Sequence, residues 1–190
     1  MAEQVIEDPV LNQRYSFRRT TNADGEEVAQ VEFWVEPGGG VIPHIHPLFE
    51  ERFEVLDGDE VTFWADGKAH PTKPGGKVVV PAGVKHTYKN TGTTTAHVIC
   101  DAIPPHPDLE GFLTDAAALG RAGLYTRQGL PRRLASVLPL SLLAYHYRES
   151  TLILRPPVFL QRLLVYPLAR YAERRARQSP SRSARLPGRR

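Results

Sequence analysis

Two histidines that stand two residues apart, with a glutamate five residues further on, are the side chains of this sequence best suited to chemistry. His44 and His46 lie in the run GGGVIPHIHP, and alternate residues of a β-strand project to the same face. Glu51 begins the next apolar run, where Phe53 and Val55 share its face. Its carboxylate is therefore predicted to enter an apolar interior, where it needs a partner. We expect these imidazoles and this carboxylate to meet.

A third histidine adds to this set. His86 follows a Pro-x-Gly turn in the run VVVPAGVKHTYKN, with Tyr88 on the same face of the predicted strand. Three imidazoles and one carboxylate are suitable ligands for a divalent metal ion, and Fe, Mn, Zn, Ni, Co and Cu cannot be distinguished by these residue types. Such a set leaves one or two metal positions free for a small molecule, as a catalytic metal requires. The neighbouring Glu50 is one residue out of phase and is predicted to face outward.

Short predicted strands surround these residues. From about residue 15 to residue 103, apolar and polar residues alternate in short runs separated by turn signals, which is typical of an antiparallel sandwich or barrel. Asp66-Gly67 predicts a two-residue hairpin turn. The valines at 78–80 are expected to form a buried strand. Three prolines between residues 104 and 107 end the pattern, because proline cannot donate to a sheet ladder.

The spacing of apolar residues changes after residue 107. The runs LEGFLTDAAALG, LASVLPLSLLAYHYR and VFLQRLLVYPLARYAERRAR predict three helices, the first of them closed by Gly120. Pro139 and Pro167 fall within the second and third runs and are expected to kink or divide these helices. We therefore predict a β-barrel domain at 1–107, a helical extension at 108–176 and a basic disordered tail at 177–190.

The net charge of +3 hides a division of charge along the chain. Residues 1–119 hold nine Lys and Arg against nineteen Asp and Glu, whereas residues 120–190 hold fifteen against two. The basic amphipathic helices could attach to an anionic membrane surface, or they could dock on the acidic barrel of the same or a partner chain. Docking is preferred, because the barrel carries the matching opposite charge and because helices this short need something to pack against. Nucleic-acid binding ranks third, since no reading motif is present.

The chain length of 190 residues suits one well-buried core with an appendage. The first residues carry acids and no apolar stretch of the kind found in a secretory signal, and no run is apolar enough to span a membrane. A cytoplasmic location is therefore expected. The single cysteine, Cys100, cannot form a disulfide within the chain and is predicted to be a small buried side chain.

Together, the two histidine segments resemble both motifs of the cupin superfamily. The first motif (glycine, five residues, His-x-His, four residues, glutamate, six residues, glycine) is met by Gly38, His44, His46, Glu51 and Gly58. The second (glycine, five residues, Pro-x-Gly, two residues, histidine, three residues, asparagine) is met by Gly75, Pro81, Gly83, His86 and Asn90. The resemblance implies a mainly β fold, a cupin-type jelly-roll β-barrel followed by an α-helical C-terminal extension. It also implies that one divalent metal ion is held inside the barrel by His44, His46, Glu51 and His86.

The resemblance leaves the reaction open, because cupins with these motifs include oxygenases, isomerases, decarboxylases, hydrolases and non-catalytic binders. Our leading interpretation is a metal-dependent enzyme, a dioxygenase or related oxidoreductase, that acts on a small, partly apolar molecule. Phe53, Val55, Phe63 and Tyr88 are expected to line its cavity. The alternative is a non-catalytic metal or small-ligand binding module whose helices attach to a membrane surface or a protein partner. A homodimer is expected in either case.

Overall fold

A computed structural model describes residues 5–178 of the chain, which form two antiparallel β-sheets and a group of helices. The strands are β1 (Ile6–Asp8), β2 (Gln13–Thr21), β3 (Glu27–Val35), β4 (His44–Ile45), β5 (Glu50–Asp57), β6 (Val61–Ala65), β7 (Lys68–Thr72), β8 (Lys77–Val80), β9 (His86–Asn90), β10 (Ala96–Ile103) and β11 (Leu152–Ile153). One sheet has the order β1-β2-β3-β10-β5-β8 and the other has the order β11-β4-β9-β6-β7.

The core lies between the two sheets because each inner face collects the apolar residues of alternating strands. In β5, for example, Phe53 and Val55 are buried while their neighbours are partly exposed. Aromatic rings from the two sheets meet in the middle, with Phe53 and Phe63 at a centroid distance of 4.9 Å and Phe33 and Tyr88 at 5.9 Å. The mainly β, jelly-roll barrel architecture predicted from the sequence is confirmed.

The hairpin predicted at Asp66-Gly67 is also confirmed. Ala65 pairs with Lys68 across the turn, and both turn residues have positive φ angles, 49° and 75°, as a tight two-residue hairpin requires. The buried strand predicted at 78–80 is wrong in part. Val80 is buried, but Val79 is exposed, because side chains alternate along β8 and Val79 lies on its outer face, opposite Arg52.

The C-terminal half is helical, as predicted. Its elements are α1 (Asp108–Arg121), a 3₁₀ turn (Leu134–Ser136) that leads into α2 (Val137–His146), a short α3 (Val158–Leu160), a π-helical turn (Gln161–Val165) and α4 (Tyr166–Gln178). Pro139 lies in the first turn of α2, where no backbone donor is needed. Pro167 is the second residue of α4, directly after the π-helical turn, so the third predicted helix is divided there.

Gly120 does not close α1, contrary to the prediction. The helix continues to Arg121, and Gly123, with φ of 66°, is the residue that turns the chain away. Gly120 instead allows close packing, because a Cβ atom there would lie 3.2 Å from the Tyr125 hydroxyl and 3.2 Å from a methyl carbon of Val10. The role of Gly120 is therefore steric, and the residue does not terminate the helix.

The helical extension packs on the barrel of its own chain. β11 pairs antiparallel with β4, and α1 packs against β1, with Leu109 and Ala117 buried in the barrel core. The packing is apolar rather than ionic. Within the part of the chain that the structure describes, no ion pair joins residues 5–119 to residues 120–178. Charge complementarity between the acidic barrel and the basic helices is therefore not what holds these elements together.

The boundary predicted at residue 107 falls between β10 and α1, although β11 returns to the barrel sheet, and the boundary predicted at 176 falls within α4. Of the predicted tail, residues 179–190 lie outside the described residues. Among residues 5–178, none of the helices is both long enough and apolar enough to span a bilayer.

Candidate metal centre

The four residues proposed from the sequence come together at one end of the barrel. His44 lies on β4 with His46 just beyond it, Glu51 is the second residue of β5, and His86 begins β9. His44 and His86 are direct partners across neighbouring strands, and their ring centroids are 4.1 Å apart. One nitrogen or oxygen atom of each of the four residues lies within 4.8 Å of those of the other three. The strand register therefore assembles a four-ligand cluster.

Each imidazole of the cluster is held by a backbone carbonyl oxygen. His44 Nδ1 lies 2.8 Å from the oxygen of Ile42, His46 Nδ1 lies 2.8 Å from that of Ser150, and His86 Nδ1 lies 2.9 Å from that of Val84. A carbonyl oxygen can only accept, so each Nδ1 carries the hydrogen and donates it. In the neutral tautomer each Nε2 then holds a lone pair, which is how metal-binding histidines are oriented.

The Glu51 carboxylate faces two of these Nε2 atoms. Its Oε2 lies 2.7 Å from His86 Nε2, and its Oε1 lies 3.4 Å from His46 Nε2. Neither Glu51 Oε2 nor His86 Nε2 has a well-aligned hydrogen-bond partner, and both atoms are buried. Two lone pairs this close repel each other unless a proton or a cation lies beside both. Neighbouring ligands of one cation sit about 3 Å apart when each metal–ligand bond is about 2 Å, so the arrangement fits a metal ion.

The electrostatics of the cluster also favour a cation. Burial lowers the pKa of His44 well below its usual range and lowers the pKa of His46, so both imidazoles are neutral at pH 7. Burial alone would raise the pKa of Glu51, but the adjacent His46 and His86 outweigh it and lower the pKa to about 2. For His86, burial is outweighed by the Glu51 carboxylate, and its pKa is raised. A charged carboxylate thus lies among three imidazoles. His86 is the imidazole that most readily binds a proton, and that proton would compete with a metal ion.

The cluster opens onto a cavity of about 330 Å³ between the barrel and the helices. Three of the cluster residues, His44, His46 and Glu51, line it. The rest of its lining is largely apolar and includes Phe33, Phe53, Leu113, Leu140, Leu143 and Val165. Of the four predicted lining residues, Phe53 and Tyr88 do line it. The prediction is wrong for Val55 and Phe63, which are buried in the core between the sheets, where side chains fill the barrel.

Two neighbours of the cluster behave as the sequence predicts. Glu50 points away from the cluster and pairs with Arg52 at 2.7 Å on the outer face of β5. Cys100 is fully buried, with its Sγ 3.6 Å from Glu51 Oε1, and burial raises the pKa of its thiol well above the usual range. The thiol therefore stays protonated at pH 7 and can donate weakly to the carboxylate.

Sequence reasoning missed the contribution of the C-terminal half to this site. The Ser150 carbonyl oxygen and the Thr151 hydroxyl both lie against His46 Nδ1, at 2.8 Å and 3.3 Å. Phe49 stacks on the face of the His46 ring, with a centroid distance of 4.4 Å. The contact of residues 150 and 151 with His46 depends on the pairing of β11 with β4. A strand of two residues shows no recognisable pattern in the sequence, so this pairing could not be predicted.

Comparison with known proteins gives the same family as the motifs. Residues 31–100 match the family model described as "Cupin domain". Among curated relatives, Protein SchB of Streptomyces halstedii is 36% identical over 78 residues, which cover 40% of this chain and 55% of the relative. Polyketide synthase CurC of Streptomyces cyaneus is 28% identical over 87 residues, which cover 45% of this chain and 56% of the relative. The chain thus spans about half the length of the curated relatives it matches.

Two solved structures illustrate the similarity in three dimensions. KdgF from a Halomonas species is 16% identical, with a TM-score of 0.46, over 55% of this chain and 89% of that protein. An RmlC-like cupin from Shewanella frigidimarina is 20% identical, with a TM-score of 0.46, over 56% of this chain and 88% of that protein. Residues 31–100, which include both complete motifs, are thus the part of the chain that matches the cupin family.

Proposed function

We propose that the chain is a metal-dependent enzyme that acts on a small, largely apolar molecule, with a dioxygenase or related oxidoreductase as the reaction class to test first. One observation carries the proposal. Three of the four cluster residues, His44, His46 and Glu51, line a cavity of about 330 Å³, so the cluster does not lie inside a closed core. A purely structural metal site needs no such cavity, whereas a catalytic one needs room for a substrate beside the metal.

The chain's own residues have distinct parts in this proposal. His44, His46 and His86 would hold the ion through their Nε2 atoms, since each Nδ1 is already bonded to a carbonyl oxygen. Glu51 would supply the negative charge. An ion held there would act as a Lewis acid and, if redox-active, would also exchange electrons with a substrate or with dioxygen. The apolar side chains above the cluster would exclude water and hold the substrate.

The lining of the cavity indicates what kind of molecule it would take. Tyr88 already donates its hydroxyl hydrogen to Gln13 Oε1, at 2.7 Å, so this hydroxyl has no hydrogen left to donate to a ligand. A largely apolar ligand that carries oxygen atoms would therefore place these atoms towards the cluster and its hydrocarbon part against Phe53 and the helices. The description of the relative CurC as a polyketide synthase is consistent with such a ligand, an apolar framework that carries several oxygen atoms.

The test uses metal-free protein loaded separately with Fe²⁺, Mn²⁺, Zn²⁺, Ni²⁺, Co²⁺ or Cu²⁺. Oxygen uptake and product formation are measured with small oxygen-bearing aromatic compounds such as 2,3-dihydroxynaphthalene. Turnover is expected in the wild type with one of the metals, and it should be lost when His44→Ala and His86→Ala are combined. His70→Ala is the matched control, because His70 is an exposed histidine on β7, outside the cluster.

A different result would favour the alternative function. A protein that binds one metal ion and one of these compounds, yet leaves both unchanged with every metal, would be a non-catalytic binding module. A protein that binds no metal under any of these conditions would contradict the enzyme, and one that also binds none of the compounds would contradict the alternative as well.

A further inference from the structure

The helical segment at 158–178 carries a row of large apolar side chains that face solvent. Phe159 is 68% exposed, Leu163 67%, Leu164 62% and Tyr171 60%. We call these four residues, together with the partly exposed Leu168, the apolar face. Scattered exposed apolar residues are ordinary, but five on one short helical segment are typical of a surface that proteins use for attachment.

The charged residues around the apolar face are almost all positive. Six arginines fall between residues 155 and 178, against one acid, Glu173, whose carboxylate contacts His146. The sequence of residues 179–190 adds four arginines and no acid, and Leu186 is its only large apolar residue. That stretch therefore brings more positive charge but too few apolar groups to cover the face.

Four arginines also line a groove between α2 and the segment. Arg148, Arg162, Arg170 and Arg174 surround it with Tyr145, Tyr166 and Pro167, and Tyr171 belongs to both the groove and the apolar face. Within this arginine groove, Arg148 also pairs with Glu149 at 2.9 Å and lies over the Tyr145 ring at 4.4 Å. Several guanidinium groups around one groove suit a phosphate group, which they can bind with paired hydrogen bonds.

We propose that the segment at 158–178 attaches the protein to the surface of an anionic lipid bilayer. The apolar face would enter the boundary between headgroups and acyl chains, and the arginine groove would bind headgroup phosphates. Arg155, Pro156 and Val165 also line the metal-site cavity, so attachment would bring the rim of that cavity close to the lipid. The proposal concerns a surface, and it stands whether or not the cluster is catalytic.

A second copy of the chain fits the face less well. Its acidic barrel offers the opposite charge, but the exposed large apolar residues that the structure describes on the barrel, Val5, Leu48, Leu56 and Val79, lie singly on separate strands and loops. The apolar face would then lack an apolar counterpart of similar size on the barrel, and pairing with the same face of the second copy would bring two sets of arginines together. An anionic bilayer offers both an apolar interior and a negatively charged surface.

The test measures binding of the full chain to vesicles by co-sedimentation. One set of vesicles is phosphatidylcholine alone, and the other mixes it with an equal amount of phosphatidylglycerol. The wild type should bind the anionic vesicles at least about tenfold more tightly, and salt should weaken this binding. Leu163→Ser combined with Leu164→Ser, and Arg170→Glu combined with Arg174→Glu, should each lower the affinity about tenfold or more. Leu56→Ser combined with Val79→Ser removes exposed apolar groups elsewhere and should change nothing.

A second readout does not depend on a loss of binding. Phe159→Trp places an indole at an exposed position of the apolar face, and its fluorescence should shift to shorter wavelength when anionic vesicles are added. The proposal is overturned if wild-type protein does not bind these vesicles or binds them as well after both pairs of changes. It is also overturned if the wild type does not bind lipid and the combined Leu163→Ser and Leu164→Ser change abolishes dimerisation in ultracentrifugation. The apolar face would then bind a second copy of the chain.

Discussion

His46 Nδ1 lies 2.8 Å from the backbone oxygen of Ser150, a residue 104 positions later in the chain. This bond fixes the hydrogen on Nδ1 and leaves Nε2 facing Glu51, so the C-terminal half orients one of the four side chains of the candidate metal centre. The helical extension is therefore part of the site. Without the extension, the His46 ring would lose its carbonyl partner, and the cavity would lose one wall.

The pairing of β11 with β4 should increase the affinity of the cluster for a metal ion. The Leu154 amide donates to the Pro43 oxygen at 3.2 Å, next to β4. Leu154→Pro removes this donor and should lower metal affinity about 10- to 100-fold, as loss of a group that orients a ligand does. Leu154→Ala keeps the amide and is the matched control. Competition with a chromophoric chelator gives both affinities, and equal values for the two variants would show that the pairing does not support the site.

A single substitution should weaken ligand binding in the cavity without changing metal binding. Ala116 of α1 lines the cavity, whereas Ala118 on the same helix faces solvent. Ala116→Phe should fill part of the cavity and weaken binding of 2-naphthol at least about tenfold, while metal content stays unchanged. Ala118→Phe should alter neither property. Calorimetric titration measures the binding, and full affinity in Ala116→Phe would place the ligand somewhere else.

The bond between Tyr88 and Gln13 should contribute to stability through its buried acceptor. Tyr88→Phe leaves Gln13 Oε1 buried and unpaired, and should lower the free energy of unfolding by about 1–3 kcal/mol. Adding Gln13→Leu removes the unpaired acceptor, together with an Nε2 that has no partner in the described structure, and should restore most of the loss. Urea unfolding of both variants tests this. A double variant that is less stable than Tyr88→Phe would contradict the explanation.

Asp8 should make the protein less stable as pH rises. Burial raises the pKa of its carboxyl above the ordinary 3.8, although its Oδ1 accepts from the amides of Val10 and Leu11. The unfolded chain loses this proton at lower pH than the folded chain, so ionisation favours unfolding. The penalty is absent below pH 3.8 and is complete once the pH exceeds the raised folded value.

Asp8→Asn tests this effect because it keeps an acceptor for the two amides and cannot ionise. Its unfolding free energy, relative to the wild type, should increase as pH rises from 3 towards 7. Asp8→Ala also removes the acceptor and should be about 1–2 kcal/mol less stable than Asp8→Asn at every pH. Urea unfolding across this pH range provides the measurement. A constant difference between Asp8→Asn and the wild type would show that Asp8 has an ordinary pKa.

The barrel and the cluster could be predicted from the sequence because their signals are local. His44 and His46 share a face through the two-residue period of a strand, and Glu51 shares its phase with buried Phe53. The turn at Asp66-Gly67 follows from the backbone conformations that those residue types tolerate. Each of these features depends on neighbours a few residues away.

The remaining features could not be predicted because they depend on distant packing. Val79 belongs to an apolar run, yet it is exposed, because which face of β8 is covered depends on how the two sheets pack. Gly120 has the residue type of a helix terminator, but tertiary contacts with Tyr125 and Val10 explain it. The β11–β4 pair joins segments about a hundred residues apart, and β11 is too short to show a period. Val55 and Phe63 have the correct phase for the interior but lie beyond the cavity, in the packed core.

The central claim is that His44, His46, Glu51 and His86 hold a divalent metal ion. Elemental analysis of the protein purified without added metal, and again after incubation with each candidate metal and removal of the excess, tests it most directly. The same measurement is made on the His44→Ala, His86→Ala double variant and on His70→Ala. We expect one metal ion per chain in the wild type and in His70→Ala, and almost none in the double variant. A metal content near zero that no added metal restores, or equal contents in all three proteins, would contradict the claim.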